Sequence, residues 1–194
     1  AYCSDREADP VAQEYLRAGY HAFVLRYSVG WENAVWPNPL EDYDQAMELI
    51  AAHAKEWHLI PEKIAVIGFS AGGHLAAMAK HRPAAAILAY PVILEGLAAI
   101  CAKGAPGADK AVDSQTCPCF IAATGTDTTV SAMNSLRFVE ALYENGISAE
   151  LHLYAFGPHG FSTARTSIAD PAELCSRTLH WVEDSISWLE DVFG

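Results

Sequence analysis

The stretches KIAVIGF (63–69), AAAILAY (84–90) and PCFIAAT (118–124) are short and almost uninterrupted in apolar residues. Runs like these leave no polar face for water, so they fit strands buried on both sides rather than the alternating strands of a half-solvated sheet. HAFVLRY (21–27) and AELHLYA (149–155) are read as two more strands of the same set. Helical segments fall between them, near 9–18, 39–57, 71–82, 132–145 and 171–193. Strand and helix alternating along the whole length predict an α/β fold with a mainly parallel sheet and helices on both of its faces. At 194 residues the chain is long enough to bury such a core as one domain spanning 1–194.

Several helix ends carry signals with a physical cause. Asn38-Pro39-Leu40-Glu41 and Asp170-Pro171-Ala172-Glu173 each offer a side-chain oxygen for the unpaired N–H groups of a first turn. Each also has a proline preset to helical φ and a glutamate able to cap back. Gly19 and Gly146 stand where a helix would end in a left-handed residue before the next strand.

In open parallel sheets, ligands bind beyond the carboxyl ends of the strands. The residues following the predicted strands are, in order, Ser70, the Tyr90-Pro91 turn, Asp127 and His159. A nucleophile, an acid and a base therefore come in the order Ser, Asp, His on one edge. Gly68-Phe69-Ser70-Ala71-Gly72 is G-x-S-x-G, the pattern that sets a serine on a sharp strand-to-helix turn with its Oγ thrust forward. Gly72 and Gly73 are expected to leave room for the helix to pack. The backbone N–H of Ala71, at the positive end of that helix, is placed to face an oxyanion forming beside Ser70. His159, in the glycine-rich FGPHGF, would accept the serine proton, and Asp127, in GTDTTV, would hold the other ring nitrogen.

Chance alone would give about 0.05 G-x-S-x-G matches in a chain with this Gly and Ser content, and the required strand, helix, Asp and His contexts lower that further. Asp127 has an ordinary alternative as a turn former, since aspartate often follows a strand for that reason alone. Asp109 and Asp113 lie in the insertion AKGAPGADKAVDS, away from the expected position, and Asp170 has a capping role. Among the other histidines, His21, His53, His58, His74, His81, His152 and His180, the nearest rival is His74. It sits one turn into the helix after Ser70 and is expected to point away from the nucleophile.

The formal net charge of −12 would repel polyphosphate, so nucleic acid and anionic membrane surfaces are not expected partners. No run reaches the roughly 18 apolar residues of a membrane-spanning helix, and AYCSDREADP is no signal peptide, so the chain reads as soluble. Five scattered cysteines, Cys3, Cys101, Cys117, Cys119 and Cys175, do not form a disulfide framework, and a reducing, cytoplasmic location is the simpler expectation. Cys117 and Cys119 make a single C-x-C without a second pair, read as buried thiols rather than a zinc site, and no metal is expected.

At VIGFSAGGHLAA the sequence resembles the α/β-hydrolase superfamily, in its bacterial acetyl esterase and carboxylesterase branch, which includes acetyl xylan esterase-like proteins. The likeness continues through SDREADPVA, FVLRYSVG, AYPVI, NSLRFVEAL and ELHLYAFGPHGF. It implies a three-layer α/β-hydrolase fold in which Ser70 is the nucleophile, Asp127 the acid of a D-x-x-V pattern through Val130, and His159 the base of H-G-F. Ala71 would supply one oxyanion donor. Two departures are visible: Ser131 where many relatives have proline, and Thr126 where several have a second aspartate. The family's glycine-rich oxyanion loop and first strands would lie upstream of Ala1, making this segment an N-terminally incomplete member. Losing one oxyanion donor typically costs on the order of 100- to 1000-fold in turnover.

Trp31 and Trp36, in SVGWENAVWPNP after the first predicted strand, are candidates to wall an acyl pocket or stack on a sugar ring. The sum is an expectation of a serine hydrolase acting on carboxylic esters of short acyl chains, including acetylated carbohydrate, with no cofactor. The alternatives are a peptidase of the prolyl-oligopeptidase type, which shares fold and triad order, and a non-catalytic binding module on the same fold.

Overall fold

A computed structural model describes residues 1–79, 83–165 and 170–194. Its sheet has four parallel strands, β1 (Ala65–Phe69), β2 (Ala85–Ala89), β3 (Cys119–Thr124) and β4 (Ala149–Tyr154), lying side by side in sequence order. Ile67 sits opposite Ile87, Ala86 opposite Cys119, and Ile121 opposite Leu151. The two inner strands are buried at every residue, as their unbroken apolar sequences require, whereas β1 and β4 are partly exposed.

Six α-helices cover this sheet: α1 (Asp9–Arg17), α2 (Asn38–His53), α3 (Ala71–Met78), α4 (Glu95–Cys101), α5 (Met133–Glu144) and α6 (Trp181–Phe193). Successive strand side chains point to opposite faces, so each strand feeds two cores. Ala85, Ile87, Phe120 and Ala122 pack against Val11 and Tyr15 of α1 and Trp181 and Leu189 of α6. Ala86, Leu88, Cys119 and Ile121 pack against Ala76 and Ala77 of α3 and Phe138 and Leu142 of α5. These are the three layers expected from the sequence. Among the described residues no helix is long and apolar enough to cross a membrane.

Gly19 and Gly146 end their helices as anticipated, with φ of 94° and 73°. Tyr20 N–H reaches back to Tyr15 O and Gly19 N–H to Leu16 O, and Ile147 and Gly146 repeat the pattern on Leu142 and Tyr143. The Asp170 carboxylate accepts from Ala172 N–H, but the turn it caps is a short 3₁₀ segment, Pro171–Glu173. Extended backbone at Cys175 (φ −58°, ψ 130°) separates this turn from a second one, Ser176–His180, so the helix predicted over 171–193 is continuous only from Trp181. The helix predicted over 71–82 ends at Met78, and positions 80–82 lie outside the described residues.

Three expectations are corrected. The run 21–27 forms no strand: β1 pairs only with β2, and a strand exists only where a neighbour takes its hydrogen bonds. Instead Leu25 and Tyr27 pack beside Tyr43 of α2 and Leu75 of α3, while Phe23 and Val24 remain exposed. Asn38 does not cap α2; it is already inside the helix, with Pro37 before it, and its amide donates to Asn33 O. That helix stops at His53 instead of running to 57.

Phe138 is fully buried between α5 and the sheet. Phe138→Ala is expected to cost about 3–5 kcal/mol through lost burial and the cavity left behind. A urea titration should show a lower midpoint at an unchanged slope.

Candidate active site

β1 runs into Ser70 and α3 begins at the next residue, so the chain must reverse direction within a single position. Ser70 achieves this with φ 50° and ψ −115°, a backbone state that side-chain-bearing residues rarely adopt. Ser70 N–H is held by Ala89 O at 3.1 Å, and Ser70 O accepts from Val92 N–H at 2.9 Å. The turn can close because of two glycines. A Cβ on Gly68 would lie 2.2 Å from Gly72 O, and a Cβ on Gly73 would lie 2.7 Å from Pro91 Cβ. Gly72 is different: a Cβ there would meet the Tyr27 side chain, Oη at 3.5 Å and Cε1 at 3.9 Å, which are ordinary contacts. The helix therefore needs Gly73 for its approach, and the sequence expectation for Gly72 is not upheld.

The strand-end residues meet. His159 Nε2 lies 2.9 Å from Ser70 Oγ, and His159 Nδ1 lies 2.6 Å from Asp127 Oδ2. The other oxygen of Asp127 accepts the N–H groups of Thr129 and Val130, at 2.8 and 2.9 Å. Asp127 is thus a turn former and a partner of the histidine at once, and the two readings of the sequence do not compete. Its side chain is 2% exposed against 20% for His159, so the carboxylate is sealed and the imidazole reachable. Burial by itself would raise the Asp127 carboxyl, but the bond from His159, its positive charge when protonated, and the two backbone N–H groups outweigh it and hold the group below the usual carboxylate range. With Asp127 ionised, Nδ1 carries a proton and Nε2 is left as the acceptor facing Ser70 Oγ.

Comparisons with known proteins bear on the family and the fold. The BD-FAE family profile matches residues 3–88. MGS-M1, described as an α/β-hydrolase enzyme from a Medee basin deep-sea metagenome library, is 40% identical with a TM-score of 0.89, over 98% of this chain and 79% of that one. The chain belongs to the α/β-hydrolase superfamily. The carboxylesterase Cest-2923 of Lactobacillus plantarum WCFS1 is 28% identical with a TM-score of 0.88, over 98% of this chain and 81% of that one. An acetylxylan esterase of Xylanibacter ruminicola is 28% identical over 77% of this chain and 36% of its own length. The chain spans about a third of the length of the first curated relatives it matches.

In this α/β-hydrolase, Ala71 is the first residue of α3, so its N–H is among those an α-helix leaves without an internal partner. A small cleft of about 20 Å³ opens beside it, lined by Tyr27, Trp36, Ala71, His74 and Leu75 among others. Trp36 is half-buried against Ala34 and Val92, with its ring edge-on to His74 at 5.4 Å. Trp31 is 97% exposed, so it is open to solvent and forms no pocket wall. His74 turns away from Ser70 as expected, its Nε2 donating to Pro106 O at 2.7 Å, and burial lowers its basicity.

The α/β-hydrolase also uses residues that the sequence did not single out. The Thr124 and Thr126 hydroxyls donate to Gly157 O at 2.9 and 3.2 Å, which ties the loop before His159 to the end of β3. Thr126 was visible only as a departure from the family pattern. Asn134 Oδ1 accepts from Ile93 and Leu94 N–H, both at 2.9 Å, and fixes the chain leaving β2.

Gly68→Ala should cost at least about 2 kcal/mol, because the new methyl meets backbone that cannot move independently. Gly72→Ala should lie within about 0.5 kcal/mol of wild type. Thermal unfolding of the two variants checks this contrast. Acidity gives a second test. Because the folded value of Asp127 is lowered, its ionisation stabilises the fold above the unfolded value of about 3.9, and this is lost as pH falls through the folded value. The stability gap between wild type and Asp127→Asn, read from urea midpoints, should narrow below about pH 4.

Proposed function

We propose that this protein hydrolyses carboxylic esters of short acyl chains, with acetylated carbohydrate as the favoured substrate class, through an acyl-enzyme on Ser70. The observation that carries the proposal is the unbroken chain of hydrogen bonds from Ser70 Oγ through His159 to Asp127. His159 Nε2 takes the Ser70 proton as Oγ attacks the ester carbonyl, and the buried Asp127 carboxylate stabilises the imidazolium that results. The Ala71 N–H, at the start of α3, faces the charge that develops on the carbonyl oxygen. The imidazolium then protonates the departing alkoxide. Water deprotonated by the same nitrogen attacks the acyl carbon, releases the acid and returns the proton to Ser70.

The names of similar proteins support the ester and the carbohydrate half of this reading, with a carboxylesterase among the structures and an acetylxylan esterase among the curated relatives.

In the intact protein, p-nitrophenyl acetate should be turned over and an aminoacyl anilide should not. A fluorophosphonate probe should add a single mass adduct on Ser70. Ser70→Ala should lose both reactions, and Asp127→Asn should lower kcat on the order of 10⁴-fold. Undiminished ester hydrolysis by Ser70→Ala would refute the reading, and preferential cleavage of the anilide would make the protein a peptidase.

A further inference from the structure

Tyr90 is the first residue after β2, fully buried, and has the second left-handed backbone on this sheet edge, at φ 39°. A third follows at Ser162, φ 48°, three residues past His159. The two are joined directly, because Ser162 N–H donates to Tyr90 Oη at 3.1 Å. Tyr90 Oη in turn donates to Glu7 Oε1 at 2.7 Å, and the Ser162 hydroxyl donates to the neighbouring Arg6 O. The remaining polar group of Ser162, its carbonyl, accepts from Trp181 Nε1 at 2.7 Å. The Tyr90 ring stands edge-on to the His159 imidazole, with centroids 5.0 Å apart and planes at 70°.

We infer that Glu7 and Tyr90 are positioning residues for His159, forming a clamp that fixes the far side of its loop as the Thr124 and Thr126 hydroxyls fix the near side. The inference rests on the esterase reading for its functional meaning, since it is the base of that reaction that the clamp would aim.

The argument is one of economy. Phe69 and Phe161 already pack against the Tyr90 ring, so a phenylalanine would serve a purely packing role without bringing a carboxylate near a buried group. The hydroxyl is needed because Ser162 N–H is buried and requires an acceptor, and a phenol can accept there while donating elsewhere. Glu7 is the group it donates to. Burial first, and the Glu7 carboxylate next, push the Tyr90 phenol well above its ordinary value, so the proton stays on the phenol and the direction of the clamp is fixed. The strained backbones of Tyr90 and Ser162 then have a purpose: they bring the hydroxyl and the loop N–H into line beneath the imidazole.

The test is p-nitrophenyl acetate kinetics on the intact protein, with thermal unfolding of each variant to establish that it is folded. Tyr90→Phe should lower kcat on the order of 10- to 100-fold, the loss expected when a reacting group is misaimed, and leave KM within about twofold. Fluorophosphonate labelling of Ser70 should slow by the same factor. Glu7→Leu should reproduce the defect, while Glu7→Gln, which keeps an acceptor oxygen, should recover most of it. Tyr90→Phe combined with Glu7→Leu should be no worse than Tyr90→Phe alone, because one clamp is broken in either case. If Tyr90→Phe does not fold, the Glu7 pair decides the matter by itself. The proton shared by His159 Nδ1 and Asp127, observed far downfield by NMR, should move or broaden in Tyr90→Phe, a readout that needs no turnover.

A folded Tyr90→Phe with wild-type kcat and an unshifted proton line would overturn the inference, as would a defect confined to KM or additive losses in the double variant. A wild type that hydrolyses no ester but whose proton line moves in Tyr90→Phe would remove the esterase reading and leave the clamp standing.

Discussion

The close approach of Gly68 to the carbonyl of Gly72 is the contact on which the rest of the site depends. It lets β1 turn into α3 in one residue, which forces Ser70 into a left-handed backbone and lifts Oγ off the end of the sheet. The contact would be idle if the neighbouring strands ended elsewhere. Because all four strands are parallel, their carboxyl ends share an edge, and the residues that follow β3 and β4 come to the place where β1 delivers its serine. The fold and the site are therefore one constraint stated at two scales: parallel pairing gathers the chain ends, and the glycine contact aims one of them.

Most of this is legible in the sequence, for a physical reason. An inner parallel strand needs apolar residues on both faces and a turn at its end, so its sequence is distinctive, and β2 and β3 fall inside the runs expected for them, as the edge strand β1 does in its own. Ser70, Asp127 and His159 could be placed because their positions follow from strand ends alone. What failed was whatever depended on a partner. The run 21–27 has the composition of a strand, but strand formation is a property of a pair, and among the described residues no strand pairs with it. The helix α4, of only seven residues in EGLAAIC, is too short for its periodicity to stand out from the loop around it.

The clamp around His159 was illegible for the same reason in a stronger form. Nothing in SDREADP marks Glu7 as a partner of a tyrosine 83 residues away. A left-handed backbone at Tyr90 or Ser162 also has no sequence signal, because neither is glycine or asparagine, the residues that ordinarily announce one. The G-x-S-x-G pattern announces the strain at Ser70 because the glycines that permit it lie beside it. At Tyr90 and Ser162 the strain is permitted by hydrogen bonds from distant elements, which leave no local trace.

Ser70 and Ser162, both strained, are held in different ways, and the difference bears on how the site keeps its alignment. Ser70 is pinned by backbone, through Ala89 O and Val92 N–H, and so moves only with the sheet. Ser162 is pinned by the Tyr90 hydroxyl at the end of β2, by the backbone carbonyl of Arg6 near the chain start and by the Trp181 indole of α6, so its place depends on packing between elements rather than on the ladder. Ser70 is thus referenced to the sheet, and the loop of His159 both to the sheet, through Thr124 and Thr126, and to α6, through Trp181. Trp181 packs edge-on against Phe69, the residue before Ser70, and against Phe161, so the seating of α6 on the strands bears on how Ser70 and His159 are aligned.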